Sequence, residues 1–227
     1  MSINLNYFMF SKKKGAIIVV LCFFLPFLIG AKIDFWSQFE QNFRKFKSFG
    51  GTFKQEYYDS IQSKSFVSHG LIEYLSPGLM RWSYNKPDEM EIVIGTDRIW
   101  IYDPILDNVT IQRLDQITRM NAIGFLQNQS KLSVIYTPVK PGVVFLDSFK
   151  NHHPLFLKPK RTDAGYREIQ LAVNKSNFQI TQFVIIDNQS NYRKITFSDI
   201  NTGMKFKPED FMFKVKDNLE VINEFDK

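Results

Sequence analysis

The residue types that most often carry out chemistry in proteins are sparse in this chain. Its 227 residues include one cysteine and three histidines. Cys22 lies in an apolar N-terminal run, so a chain that loses this run has no thiol nucleophile. His69 alternates with apolar neighbours on a predicted strand, and the adjacent His152 and His153 point apart in an extended segment. These positions favour structural histidines over a base or a metal site.

Sequence motifs of catalysis and cofactor binding are also missing. The chain has no G-x-S-x-G, no GxGxxG, no phosphate-binding P-loop and no H-E-x-x-H. Two of its 23 acidic residues could still meet in three dimensions, but the sequence selects no pair. Basic residues interleaved with aromatic ones, which would indicate nucleic-acid binding, do not stand out. We therefore expect a protein that is not an enzyme, with no metal, no cofactor and no nucleic-acid partner.

The N-terminus has the pattern of an export signal. Lys12, Lys13 and Lys14 precede an apolar run from Ala16 to Ala31. This run is short for a membrane span, which takes ~20 residues, and it is typical of a signal peptide. We predict a signal peptide at residues 1–31 and one domain at residues 32–227; an uncleaved inner-membrane anchor is the less favoured alternative. Without the signal, 26 basic and 23 acidic residues remain, a net charge of +3.

Alternating apolar and polar residues dominate the rest of the chain. Early strands are predicted in "GTFKQEYYD", "KSFVSHGLIEYL" and "GLMRWSYNKP", and a hairpin in "EMEIVIGTDRIWIYDP". Later strands include "GVVFLDS" at residues 142–148, "YREIQLAVN" and "QITQFVIIDN". Short strands at this spacing, mostly joined by turns, indicate a single antiparallel sheet that curls into a barrel or half-barrel.

Two predicted helices interrupt the strands. The first begins at Asp34 as N-cap, carries an aromatic stripe and is ended by residues 49–51, "FGG". The second covers residues 113–129 and is apolar around much of its circumference, which favours a buried or interrupted helix. We expect both helices to cover the mouth of the half-barrel. The predicted lid residues are Trp36, Phe39, Phe43, Ile117, Met120, Ile123 and Leu126.

Large apolar side chains on neighbouring strands allow two interpretations. They form either an ordinary packed core or the wall of a cavity that takes up an acyl chain when the lid helices move aside. Burial of an acyl chain at ~0.8 kcal/mol per methylene would hold a lipid in an aqueous compartment. Alternation alone leaves both interpretations open. The candidate cavity residues are Phe53, Phe66, Ile72, Tyr74, Met80, Trp82, Tyr84, Ile92, Ile94, Trp100 and Tyr102.

Two motifs follow one another in the first half of the chain, "SPGLMRWSYNKP" at residues 76–87 and "IVIGTDRIWIYDP" at residues 92–104. In this order they resemble the hallmark of the LolA family of periplasmic lipoprotein carriers. "FKSFGGTFKQEY" looks like its opening segment, "LQNQS" like the end of its lid helix, and "FKPEDFMFKVKDNLEVI" like its closing segment. The resemblance covers nearly all of the chain after the signal.

This resemblance implies a fold, a function and one departure. The fold is an unclosed antiparallel barrel whose mouth is covered by helices. The function is that of a periplasmic chaperone that accepts lipoproteins from an inner-membrane ABC transporter, shields their acyl chains and delivers them to an outer-membrane receptor; we expect a monomer. A lipid-binding or regulatory module of the same fold is the alternative. Family members usually have an arginine that latches the lid just before Pro-Gly, and here Ser76 stands at this position.

Overall fold

The computed structural model describes residues 34–87, 89–114, 125, 132–216 and 218–224. The predicted signal peptide lies outside these residues, as do four of the predicted lid residues, Ile117, Met120, Ile123 and Leu126. The signal peptide and the role of these four residues in the lid therefore stay predictions. Within the described ranges, no helix combines the length and the apolar character that a membrane crossing needs.

Twelve strands form one open sheet. In chain order they are β1 (Ser48–Asp59), β2 (Lys64–Leu75), β3 (Leu79–Tyr84), β4 (Met90–Ile94), β5 (Arg98–Asp103), β6 (Asn108–Arg113), β7 (Tyr136–Pro138), β8 (His152–Pro159), β9 (Tyr166–Asn174), β10 (Ile180–Asp187), β11 (Tyr192–Asn201) and β12 (Glu220–Asn223). Their order in the sheet is β12-β6-β5-β4-β3-β2-β1-β11-β10-β9-β8-β7. Neighbouring strands are antiparallel except β12, which pairs parallel with β6. The predicted unclosed half-barrel is confirmed.

Strand register collects the apolar side chains on one face, which we call the inner face. Tyr74 on β2, Met80 on β3 and Ile94 on β4 stand opposite one another. One pair further along, Ile72, Trp82 and Ile92 do the same. Since residues directly opposite in a sheet share a face, each row adds to a continuous apolar surface. Strands β8 to β11 extend this surface with Leu155, Leu157, Ile169, Leu171, Val173, Phe183, Ile195 and Phe197.

Helices are few among the described residues. They are α1 (Phe35–Phe43), α2 (Leu132–Ile135) and a 3-10 turn (Pro208–Phe211). The predicted N-cap is confirmed, because the Asp34 carboxylate accepts a hydrogen bond from the Ser37 N–H at 3.0 Å. The predicted end of the first helix is wrong. It ends at Phe43, and residues 49–51 belong to β1, where Phe49 pairs with Tyr74; strand pairing here overrides the glycines' helix-stop signal.

Residues 139–150 form a strap over the outer face of β8 to β11. Gln170 and Gln182 are fully buried and bind its backbone. Gln170 accepts from the Phe145 N–H at 2.9 Å, and Gln182 accepts from the Asp147 N–H at 2.8 Å. The predicted strand at residues 142–148 is therefore wrong, because side-chain amides of the sheet bind this backbone in place of a neighbouring strand.

A second segment, residues 204–216, covers the outer face of β2 to β5. Arg81 on β3 forms an ion pair with Glu91 and donates a hydrogen bond to the Asp210 carbonyl at 2.5 Å. The Phe213 ring lies 5.4 Å from the Tyr102 ring. Both halves of the outer face are thus covered by chain segments, and α1 lies over the inner face.

Candidate functional site

Aromatic side chains of α1 cover the inner face. Trp36, Phe39 and Phe43 recur at helical spacing, and Phe39 is fully buried. Ring centroids lie 6.1 Å apart between Trp36 and Phe39, and 5.4 Å apart between Phe39 and Phe43. The helix therefore presents a continuous aromatic surface to the sheet, as its sequence predicts.

Phe125 joins this aromatic surface to the sheet. Its ring lies 5.3 Å from Phe43, 5.7 Å from Tyr136 and 5.6 Å from Phe183, and it is fully buried. The sequence pattern places Phe125 on another side of the second helix than the lid positions. No signal in the sequence distinguishes it, because apolar residues surround that predicted helix. In the folded chain Phe125 contacts both the covering helix and the half-barrel.

One acidic side chain ties α1 to the start of α2. The Glu40 carboxylate accepts a hydrogen bond from the Ser133 N–H at 2.7 Å and another from its hydroxyl at 3.3 Å. Lys160 donates to the Ser133 carbonyl at 2.6 Å. Ser133 is thereby held from both sides, by the covering helix and by the end of the sheet.

A small apolar cavity of about 50 Å³ remains between α1 and the inner face. Its lining consists mainly of aromatic and aliphatic side chains: Phe43, Phe46, Phe49, Tyr74, Gln179, Ile180, Phe183, Phe197, Ile200 and Thr202. Pockets that enclose small-molecule ligands usually measure ~300–1,000 Å³, so a long acyl chain does not fit beside these side chains. The aromatic groups that line this cavity have to move before the cavity can take such a ligand.

Most of the predicted cavity residues are brought together on the inner face. Eight of them belong to a single apolar cluster: Phe53, Ile72, Tyr74, Met80, Trp82, Tyr84, Ile92 and Ile94. Phe66 lies on the same face beyond the end of β3, where it stacks on Tyr57 and is 49% exposed. It therefore belongs to the rim of the half-barrel rather than to the buried surface.

The prediction for Trp100 and Tyr102 is wrong, because both lie on the outer face. Ile94 pairs with Ile99, so in β5 the odd-numbered residues Ile99 and Ile101 point inward. Trp100 stands opposite Val93, and Tyr102 contacts the segment 204–216. The prediction assumes that even-numbered residues face inward in both β4 and β5. Because the turn pairs Ile94 with Ile99, the inward-facing residues of β5 are odd-numbered instead.

Polar groups on the inner face are buried and mostly paired. The hydroxyl groups of Tyr136 and Tyr166 are 2.8 Å apart, and burial raises the pKa of both. The Tyr84 hydroxyl donates to Gln55 at 3.2 Å. The exception in the described part of the chain is the indole nitrogen of Trp82, which is buried and has no hydrogen-bond partner.

The latch position, Ser76, lies in the turn between β2 and β3. Its N–H donates to the Lys47 carbonyl at 2.7 Å. Its hydroxyl is a neighbour of the Tyr74 hydroxyl: burial raises the pKa of Tyr74, and the hydrogen bond with Ser76 partly offsets this rise. Ser76 thus fixes the chain beside β1, and its role in holding the lid stays a prediction.

His152 takes part in hydrogen bonding, and His153 takes part in packing. The His152 ring nitrogens contact the Lys150 carbonyl and the Thr181 hydroxyl, each at 2.7 Å. His153 lies against the Phe35 ring of α1 at 4.1 Å, and burial lowers its pKa. Among the described residues, no three His, Cys, Asp or Glu side chains gather closely enough to hold a metal ion.

Comparisons with known proteins agree with this geometry. The family model described as "Outer membrane lipoprotein carrier protein LolA" matches residues 44–214. The outer-membrane lipoprotein carrier protein of Neisseria meningitidis serogroup B is 29% identical over 175 residues, which cover 76% of this chain and 79% of that protein. The carrier protein of Coxiella burnetii is 23% identical over 211 residues, 90% of this chain and 94% of its own.

A solved structure resembles the fold. It is an uncharacterized conserved protein from Thermus thermophilus, with a TM-score of 0.50 and 10% sequence identity over 82% of this chain and 98% of that one. At this identity the likeness concerns the fold alone. The family model, in contrast, spans most of the sequence, from the residues before β1 to those beyond the 3-10 turn. The chain therefore belongs to the LolA family of outer-membrane lipoprotein carrier proteins.

Proposed function

We propose that this protein is a periplasmic lipoprotein carrier, a chaperone rather than an enzyme. It accepts a lipoprotein from an inner-membrane ABC transporter, shields the acyl chains on its inner face and releases them to an outer-membrane receptor. Its predicted signal peptide, residues 1–31, is consistent with export. The observation that carries the proposal is the large apolar inner face that α1 and Phe125 cover with separate aromatic side chains.

An acyl chain can replace these covering side chains without exposing the sheet to water. Each buried methylene contributes ~0.8 kcal/mol, so one long chain contributes on the order of 10 kcal/mol. A ring pair such as Phe43–Phe125 adds only ~0.5–1.5 kcal/mol beyond the area that it buries. An acyl chain can therefore compete with the aromatic groups for the same apolar surface, and the return of these groups lowers the cost of releasing the cargo.

The residues that line the small cavity offer the entry point. Phe43 comes from the covering helix, whereas Ile180, Phe183 and Phe197 come from the sheet. Movement of α1 away from β10 and β11 would join the cavity to the rest of the inner face. Cargo then lies between the aromatic stripe of the helix and the apolar rows of the strands.

Release of a lipoprotein from inner-membrane vesicles tests this function. Vesicles that contain the transporter and a labelled lipoprotein are incubated with ATP and the purified protein, and the label is measured in the soluble fraction. We expect soluble lipoprotein bound to the protein, and its transfer to outer-membrane vesicles that carry the receptor. Label that stays in the inner-membrane vesicles refutes the function.

A pair of variants ties the release to the inner face. Ile180→Glu places a charge in the lining of the cavity, and a buried charge without a partner is costly. Ile61→Glu makes the same change at a residue that is 86% exposed in the turn between β1 and β2. Ile180→Glu should lose release whereas Ile61→Glu keeps it. Equal release by the two variants would contradict a role of the inner face.

A further inference from the structure

Trp82 presents an unusual feature for a buried residue. Its side chain is 6% exposed, and its indole N–H meets no acceptor among the residues that the structure describes. A buried donor without an acceptor is unfavourable, and buried polar groups of folded proteins are nearly always paired. The other buried polar side chains follow this rule: Gln170 and Gln182 bind the strap, and the Tyr136 and Tyr166 hydroxyl groups bind each other.

The surroundings of Trp82 are those of the proposed acyl-chain surface. The residue stands between Ile72 and Ile92 on the inner face. Its ring meets the Phe53 ring edge-on, with centroids 4.9 Å apart, and lies 6.3 Å from the Phe197 ring. Phe197 in turn lines the apolar cavity. An acyl chain that takes the place of the covering side chains would extend along these same rings.

We propose that the Trp82 indole N–H donates a hydrogen bond to a carbonyl group at the head of the bound acyl chain. This inference rests on the proposed carrier function. Methylenes bind anywhere on an apolar surface, whereas a single donor within it fixes the depth at which the carbonyl comes to rest. The carbonyl is either the ester that links a chain to glycerol or the amide of an N-acylated terminus. Trp82 is then a specificity residue that distinguishes acyl chains from plain hydrocarbon.

The test compares the binding of synthetic lipopeptides to the natural full chain and to two variants of it. The first two ligands share one peptide that carries a glyceryl group with two C16 chains. The chains are joined to the glycerol by ester bonds in one ligand and by ether bonds, which lack the carbonyl, in the other. The second form of the chain carries β-(3-benzothienyl)alanine at position 82, which keeps the ring shape and replaces the N–H by sulfur. The same replacement at Trp100 on the outer face is the control.

We expect the natural chain and the Trp100 control to bind the ester ligand roughly five- to tenfold more tightly than the ether ligand. The replacement at position 82 should abolish this preference while the ether ligand binds unchanged. A third ligand is the ether version with an added N-palmitoyl amide. If this ligand binds more tightly than the plain ether ligand and the ester ligand does not, the amide carbonyl is the acceptor. Equal binding of all ligands by the natural chain, or a preference that survives the replacement, overturns the inference.

Two further readouts separate the inference from the function beneath it. The indole N–H signal of Trp82 should shift downfield in ¹⁵N spectra when the ester ligand binds, while that of Trp100 stays in place. If no lipopeptide binds in any version, the carrier function itself is refuted and the inference falls with it. If all versions bind and the Trp82 signal does not move, only the inference is overturned.

Discussion

Phe53 occupies its position on the inner face because the residue opposite it has no side chain. Phe53 pairs with Gly70, and its ring meets Trp82 at 4.9 Å and Tyr84 at 5.0 Å. A β-carbon at position 70 would lie 2.8 Å from the Phe53 ring and 2.2 Å from the Ser83 carbonyl oxygen. Glycine inside a strand often marks such a close approach. The aromatic wall of β1 to β3 depends on it.

The substitution Gly70→Ala should therefore destabilise the fold by roughly 3 kcal/mol, because the backbone oxygen cannot yield as a flexible side chain would. The measurement is the free energy of unfolding in urea. Gly142→Ala is the control, since a β-carbon there meets nothing within 4 Å. It should change stability by less than ~0.5 kcal/mol. Similar losses for the two variants would contradict the packing described for Phe53.

Prediction of single residues from the sequence succeeds or fails with strand register. Alternation within β3 predicts Met80 and Trp82 on one face, and the strand pairing places them there. The same reasoning assigns Trp100 to the wrong face, because the faces of β5 have to be inferred from those of β4 on the other side of a turn. The Gly95 N–H donates to the Arg98 carbonyl at 2.9 Å, and the missing side chain of Gly95 leaves room for the Trp100 ring. The geometry of a turn decides register, and residue types alone do not specify it.

At the scale of elements, the link between α1 and α2 holds the covering helix. Glu40 is the acceptor for both donors of Ser133. Its partner lies 93 positions away, so no local pattern in the sequence pairs the two. The same holds for the strap, whose partners Gln170 and Gln182 look like ordinary outward-facing strand residues. Local patterns predict a strand or a helix, whereas contacts between distant segments require the folded chain.

Glu40→Ala should loosen the covering helix, because the Ser133 donors lose their acceptor. Hydrogen exchange of the Ser133 amide should accelerate roughly tenfold. Glu40→Gln keeps an acceptor oxygen and should recover part of the protection. Exposed Glu220→Ala serves as the control. Unchanged exchange at Ser133 in Glu40→Ala would mean that this tie does not hold the helix.

The attachment of the strap should depend on pH. The hydrogen bond from Gln182 is the main cause that lowers the pKa of the Asp147 carboxyl, and Lys194 adds to it. Because the folded pKa lies below the unfolded value of about 3.9, the carboxylate stabilises the fold above that value, and this contribution is lost as the pH falls through the folded pKa. The test is the stability difference between the natural chain and Asp147→Asn. It should favour the natural chain at pH 6 and shrink below pH 4; a difference independent of pH would contradict this.

For the whole molecule, the two faces of the sheet have different coverings. The outer face is covered by the strap and by the segment 204–216. Gln170 and Gln182 of the sheet bind the strap, and Arg81 binds the segment 204–216. The inner face is covered by aromatic rings on α1 and by Phe125. Hydrogen bonds are directional and specific to one partner, whereas ring contacts can be exchanged for other apolar groups. This difference makes the inner face the surface suited to reversible binding.

Binding of acyl chains at the inner face beneath α1 is the central claim. Photo-crosslinking tests it most directly, with a dipalmitoyl lipopeptide that carries a diazirine midway along one acyl chain. After irradiation, mass spectrometry of the digested protein identifies the labelled residues. We expect label on inner-face residues such as Phe183 and Phe197 and on α1. Label concentrated instead on the outer face, at Tyr102 or Met212, would contradict the claim.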